Sequence, residues 1–322
     1  MKFKNLYIGI NIGGTTTAVT VISNDGIIVE REQYATIVGE KSWKFSYARM
    51  KSIIIKFVTK YKIASIGISC GGPLDSKEGI ILSPPNLPGW DEVKIVQTLK
   101  NEFGILTYLE NDANASALAE WKFGAGKGKR NLIFLTFGTG LGAGIILDGK
   151  LYSGTNNLGG EVGHIRLAED GPIGYHKRGS FEGFCSGTGL SQLMALELLC
   201  LTEEIGKAKM MKKYKEPGEI TGRDVVEWAK SGDILALNVV QKSGEYLGKG
   251  LSILIDILNP ELIIIGSMGV RLGNLLLDPA RKIIEKEALS QSAKVCKIVA
   301  AKLGEKVGDL AALCVALGAE EN

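Results

Sequence analysis

Apolar residues in this chain fall into short runs that stop at glycine. Residues 6–11, 18–22, 27–30, 64–70, 105–109, 131–137, 143–147, 261–265 and 294–301 are β-prone and bounded by turn residues. Such runs predict strands, mostly buried ones. Between them the apolar spacing becomes helical. Phe45, Met50, Ile53, Ile54, Phe57 and Val58 mark one amphipathic helix over 43–61. The alanine-rich stretch 113–122, with Leu118 and Trp121, predicts another. Further helices are expected from Asp91, as cap, to Phe103, from Ser186 or Thr188 to Cys200, and over 233–258, 272–289 and 309–319. Asn259-Pro260 stops the third of these, and Thr221-Gly222-Arg223-Asp224 resembles a capping box with Asp in place of Glu. The charged segment 203–216 reads as a surface helix or connector, and 83–90 holds too much proline for a helix or a central strand. Strands alternate with helices, so the class is α/β.

The turns repeat. Residues 6–11 run into Gly13-Gly14-Thr15-Thr16-Thr17, then a strand, then Asn24-Asp25-Gly26 and a third strand. Roughly one hundred and twenty residues later, 131–137 runs into Gly138-Thr139-Gly140-Leu141-Gly142, then a strand, then Asp148-Gly149. A third glycine turn, Gly266-Ser267-Met268-Gly269, also follows a strand. Glycine lets backbone amides approach phosphate oxygens closely. The repeated layout therefore predicts two like domains closing on one nucleotide-sized ligand.

Asn111-Asp112 stands where the strand 105–109 ends and the helix 113–122 begins. Asp112 taken alone reads as a helix cap. A carboxylate near phosphate turns is costly, however, unless it has work such as taking a proton from an attacking hydroxyl. Glu161-Val162-Gly163-His164 sets a Glu three residues before one of the two histidines. Together they suit gripping sugar hydroxyls, and His164 also suits a metal. Glu182 is a further isolated carboxylate, otherwise a solvated loop residue.

Composition narrows the partners. With 322 residues, a 45% apolar content and a formal charge of +3, the chain has room for two cores and no field that suggests nucleic acid or a membrane. Its 42 glycines are nearly double the usual share of ~7% and imply many tight turns. The five cysteines are scattered without a CxxC pair, which argues against a disulfide scaffold and a zinc ribbon and for buried thiols in a reducing cytoplasm. No stretch near the N-terminus has the form of a signal peptide.

Together these motifs resemble the ROK family of repressors and sugar kinases, over nearly the whole chain and in order. Its first phosphate motif, Asp-x-Gly-Gly-Thr-Lys, matches Asn11-Ile12-Gly13-Gly14-Thr15-Thr16, its second Gly138-Thr139-Gly140-Leu141-Gly142, and its adenosine motif Gly266-Ser267-Met268. The catalytic Asn-Asp pair matches Asn111-Asp112, and the sugar grip matches Glu161, His164 and Glu182. The resemblance also places Gly72, Asn86 and Gly140 beside the sugar. It implies an actin-like, hexokinase-like (ribonuclease H-like) duplicated fold with two lobes around a cleft: residues 1–113 with 303–322, and 114–302. It further implies a cytoplasmic homodimer that phosphorylates a hexose such as glucose with ATP and Mg2+, Asp112 being the general base. N-acetylmannosamine, N-acetylglucosamine and fructose are alternative substrates, and a non-catalytic sugar sensor is an alternative of another class. A repressor of this family carries an added N-terminal helix-turn-helix, for which the strand starting at Leu6 leaves no room, and there is no basic patch. Two departures stand out. The family's zinc cysteines fall on Ile173, Tyr175 and Ser180, so no zinc is expected. Asn11 replaces an Asp that helps hold magnesium through water, and Thr16 replaces a Lys.

Overall fold

The computed structural model describes residues 5–40, 42–205 and 213–318. Contacts divide the chain into two compact units, Met1–Lys127 with Ser153–Asn157 and Leu303–Asn322, and Gly128–Tyr152 with Leu158–Lys302.

In the first unit the expected layout forms β1 (Leu6–Ile12), β2 (Thr16–Ser23), β3 (Ile28–Ala35) and β4 (Ile63–Cys70). A small hairpin follows, β5 (Leu74–Asp75) and β6 (Ile80–Ile81), and then β7 (Leu106–Asn111). The sheet order is β3-β2-β1-β4-β7, antiparallel through the first three and parallel from β1 to β4 to β7. The continuous apolar runs follow from burial on both faces. Ile8, Ile10, Ile12, Ile66 and Ile68 pack with Met50, Ile53, Ile54 and Phe57 of the helix Ser42–Lys60. On the other face, Tyr7 and Ile22 meet the helices Asp112–Phe123 and Val307–Leu317.

The second unit repeats this topology. β8 (Leu132–Leu135), β9 (Ala143–Leu147) and β10 (Lys150–Tyr152) precede a short hairpin, β11 (Ile173–Gly174) with β12 (Lys177–Arg178). β13 (Leu262–Ile265) and β14 (Lys297–Ala300) complete the order β10-β9-β8-β13-β14. Its antiparallel and parallel pairings match those of the first sheet. A single core joins Ile133, Leu135, Ile263 and Ile265 to the long helix Ile234–Leu258. Asp233 caps that helix by accepting from Ala236 N at 2.9 Å, and Asn259 ends it in the left-handed region. The capping box at Thr221 and Asp224 also forms.

Several boundaries differ from the sequence reading. The division after residue 113 lies instead after Lys127, because Ala115 and Ala119 pack with Leu310, Leu313 and Ala316. Asp91 does not start a helix. Val93 exchanges backbone hydrogen bonds of 2.9 and 3.0 Å with Ile81, which holds 93 in a bridge, and the helix begins at Ile95. β3 runs to Ala35 as a charged edge strand, and helix Gly187–Ile205 outruns Cys200. Residues 206–212 of the charged connector lie outside the described residues. No disulfide links the five cysteines. Among the described residues no helix is long and apolar enough to cross a membrane.

Candidate functional site

In the first unit, β1 delivers Asn11 to the first glycine turn. Gly13 N donates to Thr16 O at 3.0 Å and closes it. Thr36 pins it from the end of β3, donating from N to Thr15 O at 2.9 Å and from Oγ1 to Gly13 O at 2.6 Å. Thr15 and Thr16 stay exposed. Gly14 lies against the proline-rich loop, since a Cβ there would stand 3.0 Å from Asn86 O. A Cβ on Gly71 would lie 3.8 Å from Asp112 Oδ2, and one on Gly72 3.2 Å from Asn111 Nδ2. Gly14, Gly72, Asn86, Asn111 and Asp112 thus converge, although they are spread over some hundred residues of sequence.

The Asn-Asp pair divides its labour. Asn111 occupies the cap position and its Oδ1 accepts from Ala113 N at 2.9 Å, so capping belongs to Asn111 and Asp112 is the first helical residue. Asp112 is exposed, yet the protein bordering its carboxyl strips water from it and raises its pKa. Hydrogen bonds from the Ala113 amide and its own amide oppose that rise. Exposure and desolvation are compatible, because a group can be reachable from one side and walled on the others. The result is a reachable carboxylate that is a stronger base than an ordinary Asp.

In the second unit, three glycine-bearing segments meet. Gly138 N donates to Gly140 O at 3.0 Å, and Leu141 N donates to Glu182 Oε2 at 2.9 Å. A Cβ on Gly140 would fall 2.7 Å from that carboxylate oxygen, and one on Gly163 3.2 Å from Glu182 Cβ. Gly187 N reaches Gly138 O at 2.7 Å, and Thr188 Oγ1 reaches Thr139 O at 2.9 Å. Gly266 N donates to Leu135 O at 2.8 Å and Met268 N to Phe137 O at 3.1 Å, with Ser267 at φ 41° between them. The Gly138–Gly142 turn, the Gly266–Met268 turn, Glu182 and the Glu161–His164 segment are therefore neighbours.

The segment 173–180, where the resemblance would set zinc cysteines, is the hairpin of β11 and β12. Gln192 closes it, accepting from Ile173 N at 2.9 Å and donating to Ile173 O at 2.8 Å. The Tyr175 ring stands edge-on to the His164 ring, centroids 5.0 Å apart, and Lys177 Nζ donates to His164 O at 2.6 Å. Ser180 caps the short helix Phe181–Phe184 that carries Glu182. Lys177 and Gln192 were not legible as supports, because neither belongs to a motif. Glu110, directly before the Asn-Asp pair, accepts from Asn111 N, Asn114 Nδ2 and Ser76 Oγ, contacts that no local pattern signals.

Comparison with known proteins gives the family and the fold. The family model described as "ROK family" matches residues 7–318. A glucokinase of Thermotoga maritima is 31% identical over 96% of this chain and 96% of its own length. A xylose repressor of Caldicellulosiruptor bescii is 31% identical over 96% of this chain and 77% of its own length. A ROK family glucokinase from Streptomyces griseus, solved with glucose and AMPPNP, superimposes with a TM-score of 0.78 at 29% identity, covering 98% of this chain and 100% of that one. The fold is the duplicated α/β, actin-like fold of the ROK hexokinases and glucokinases. The chain belongs to the ROK family.

Proposed function

We propose that this chain is an ATP-dependent hexose kinase, with glucose as the first substrate to test. The observation that carries the reading is the convergence of exposed Asp112 with Asn111, Gly72, Asn86 and the first phosphate turn. Asp112 takes the proton from a sugar hydroxyl as that oxygen attacks the γ-phosphorus and the bond to the β-phosphate oxygen breaks, releasing ADP. Asn111, Gly72 and Asn86 are the first unit's sugar-binding residues in this reading, and Glu161, His164, Glu182 and Gly140 are the second unit's. Gly14, Thr15 and Thr16 in the first unit, and Thr139 and Gly140 in the second, offer donors to phosphate, while Gly13 and Gly138 spend their amides closing the two turns. Gly266, Ser267 and Met268 serve the adenosine. A coupled ADP-release assay across glucose, mannose, fructose and the N-acetylhexosamines tests this. Sugar-dependent ADP release supports it, and none with any sugar contradicts it.

The first turn fits magnesium-bound phosphate only in part. Magnesium supplies charge neutralisation on the phosphoryl oxygens, and Asn11 offers it a neutral amide in place of a carboxylate. A Cβ on Gly308 would lie 2.2 Å from Asn11 Nδ2, so Asn11 is seated against the start of the helix Val307–Leu317. A carboxylate is favoured beside a helix N-terminus. Asn11→Asp should therefore fold and should lower the magnesium concentration for half-maximal rate, by roughly threefold to tenfold given the stronger acceptor. Coincident magnesium titrations for the two proteins would show that Asn11 is a neutral replacement. The same residue favours a second reading, a sugar sensor without turnover, which tight sugar binding with no phosphorylation would establish.

The hairpin 173–180 leads to a further expectation. A structural zinc site takes about four ligands, and Ile173, Tyr175 and Ser180 supply no thiolate. Protein purified without added metal should contain far less than one zinc per chain by atomic emission. One zinc per chain would contradict the reading that Tyr175, Lys177 and Gln192 hold this segment.

A further inference from the structure

We infer that Glu110 is a positioning residue that locks the Asn111-Asp112 pair to the turn following Gly72, an inference that rests on the sugar-kinase reading. A single oxygen, Glu110 Oε1, accepts three hydrogen bonds: from Asn111 N at 2.8 Å, Asn114 Nδ2 at 3.0 Å and Ser76 Oγ at 3.1 Å. The donors lie on different pieces of the site. Asn111 is the helix cap, Asn114 is in the first turn of the helix Asp112–Phe123, and Ser76 follows β5 beyond Gly72. One carboxylate oxygen thus joins the strand end, the helix start and the sugar-side turn.

The donor set explains why the residue is an acid. Each of the three partners donates to this oxygen, and a carboxylate binds donors more strongly than a neutral amide oxygen does. A glutamine in its place would offer the same three donors a weaker, neutral carbonyl oxygen. Asn114 is 2% exposed, and its Oδ1 already has no partner among the described residues. Losing the bond to Glu110 would leave its amide nitrogen unsatisfied too, so the start of the helix would readjust. Asn111 has committed Oδ1 to Ala113 N while Nδ2 faces Gly72, so a shift there misaims Asn111 and Asp112 together.

The test compares wild type, E110Q and S76A by calorimetric glucose affinity, steady-state kinetics and thermal melting. Misplacement of reacting groups by a fraction of an ångström to an ångström costs up to about a hundredfold. E110Q should lower kcat/KM for the sugar by roughly tenfold to a hundredfold and weaken glucose affinity severalfold, with KM for ATP changed by less than about twofold. S76A should move the same constants in the same direction by less. E110Q with wild-type glucose affinity and sugar kcat/KM would overturn the role. So would a loss shared equally by all constants and tracking the melting temperature, because that marks a structural effect alone. If wild type transfers no phosphate, only the kinase reading falls. Glucose affinity then decides the positioning role, with unchanged affinity in E110Q overturning it.

Discussion

Asp112→Asn is expected to lower turnover by roughly 10²–10⁴-fold, the scale of general-base catalysis, while sugar affinity changes little. Asparagine keeps the shape and part of the hydrogen bonding, but cannot take a proton. Because desolvation is the largest influence on the Asp112 carboxyl and raises its pKa above 3.8, the acid limb of kcat/KM should lie above the ordinary Asp range. The sign follows from the role: a base must be ionised, so the rate falls as pH drops through the raised pKa and is full above it. In Asp112→Asn that limb should vanish from the residual rate. Sugar binding lost by calorimetry, with normal turnover of whatever sugar is bound, would reduce Asp112 to a binding residue.

The second large effect concerns the fold. Gly67→Ala should destabilise the first unit by about 3 kcal/mol or more, at the upper end of overpacking costs. A Cβ on Gly67 would stand 2.2 Å from both Ala312 O and Ala316 N, which are backbone atoms of the helix Val307–Leu317. Neither atom can swing aside, so the whole helix must lift from β4. Gly9 is the built-in control. A Cβ there meets Ala312 Cβ at 3.1 Å and Asp309 O at 3.4 Å, contacts that a small shift relieves. Thermal melting should show a drop of roughly 10 °C for Gly67→Ala, at a few degrees per kcal/mol, and a smaller one for Gly9→Ala. A Gly67→Ala melt within about 2 °C of wild type would refute this close packing.

Much of the fold was legible because both faces of each sheet are covered. Ile8, Ile10 and Ile12 face one core while Tyr7 faces the other, so β1 reads as an unbroken apolar run. The edge strand β3 was cut short for the opposite reason. Its Glu30 and Glu32 are paired with Lys60 and Lys56 on a neighbouring helix, at 2.6 and 3.1 Å, and charges alone do not announce a strand. The start of the helix at Ile95 was misread because the Val93–Ile81 bridge is a contact between segments twelve residues apart in sequence. The unit boundary escaped notice because the face of the helix Asp112–Phe123 that packs on the C-terminal helix is alanine, a weak apolar signal.

The candidate site divides along the same line. Glycine turns and the Asn-Asp pair are local patterns, and each stands where the chain order put it. What holds them is tertiary: Glu110 reaching Ser76, Glu182 reaching Leu141 N, Tyr175 against His164. No spacing rule connects such partners, and only the folded chain brings them together.

The most direct measurement is phosphorus NMR of the purified chain incubated with ATP, magnesium and glucose, beside the same mixture with Asp112→Asn. The predicted result is a new sugar phosphomonoester resonance that grows as the γ-phosphate of ATP is lost with wild type, and that grows at least about a hundredfold more slowly with the variant. ATP left intact beside a sugar that calorimetry shows to be tightly bound would contradict the kinase reading and leave the sensor in its place.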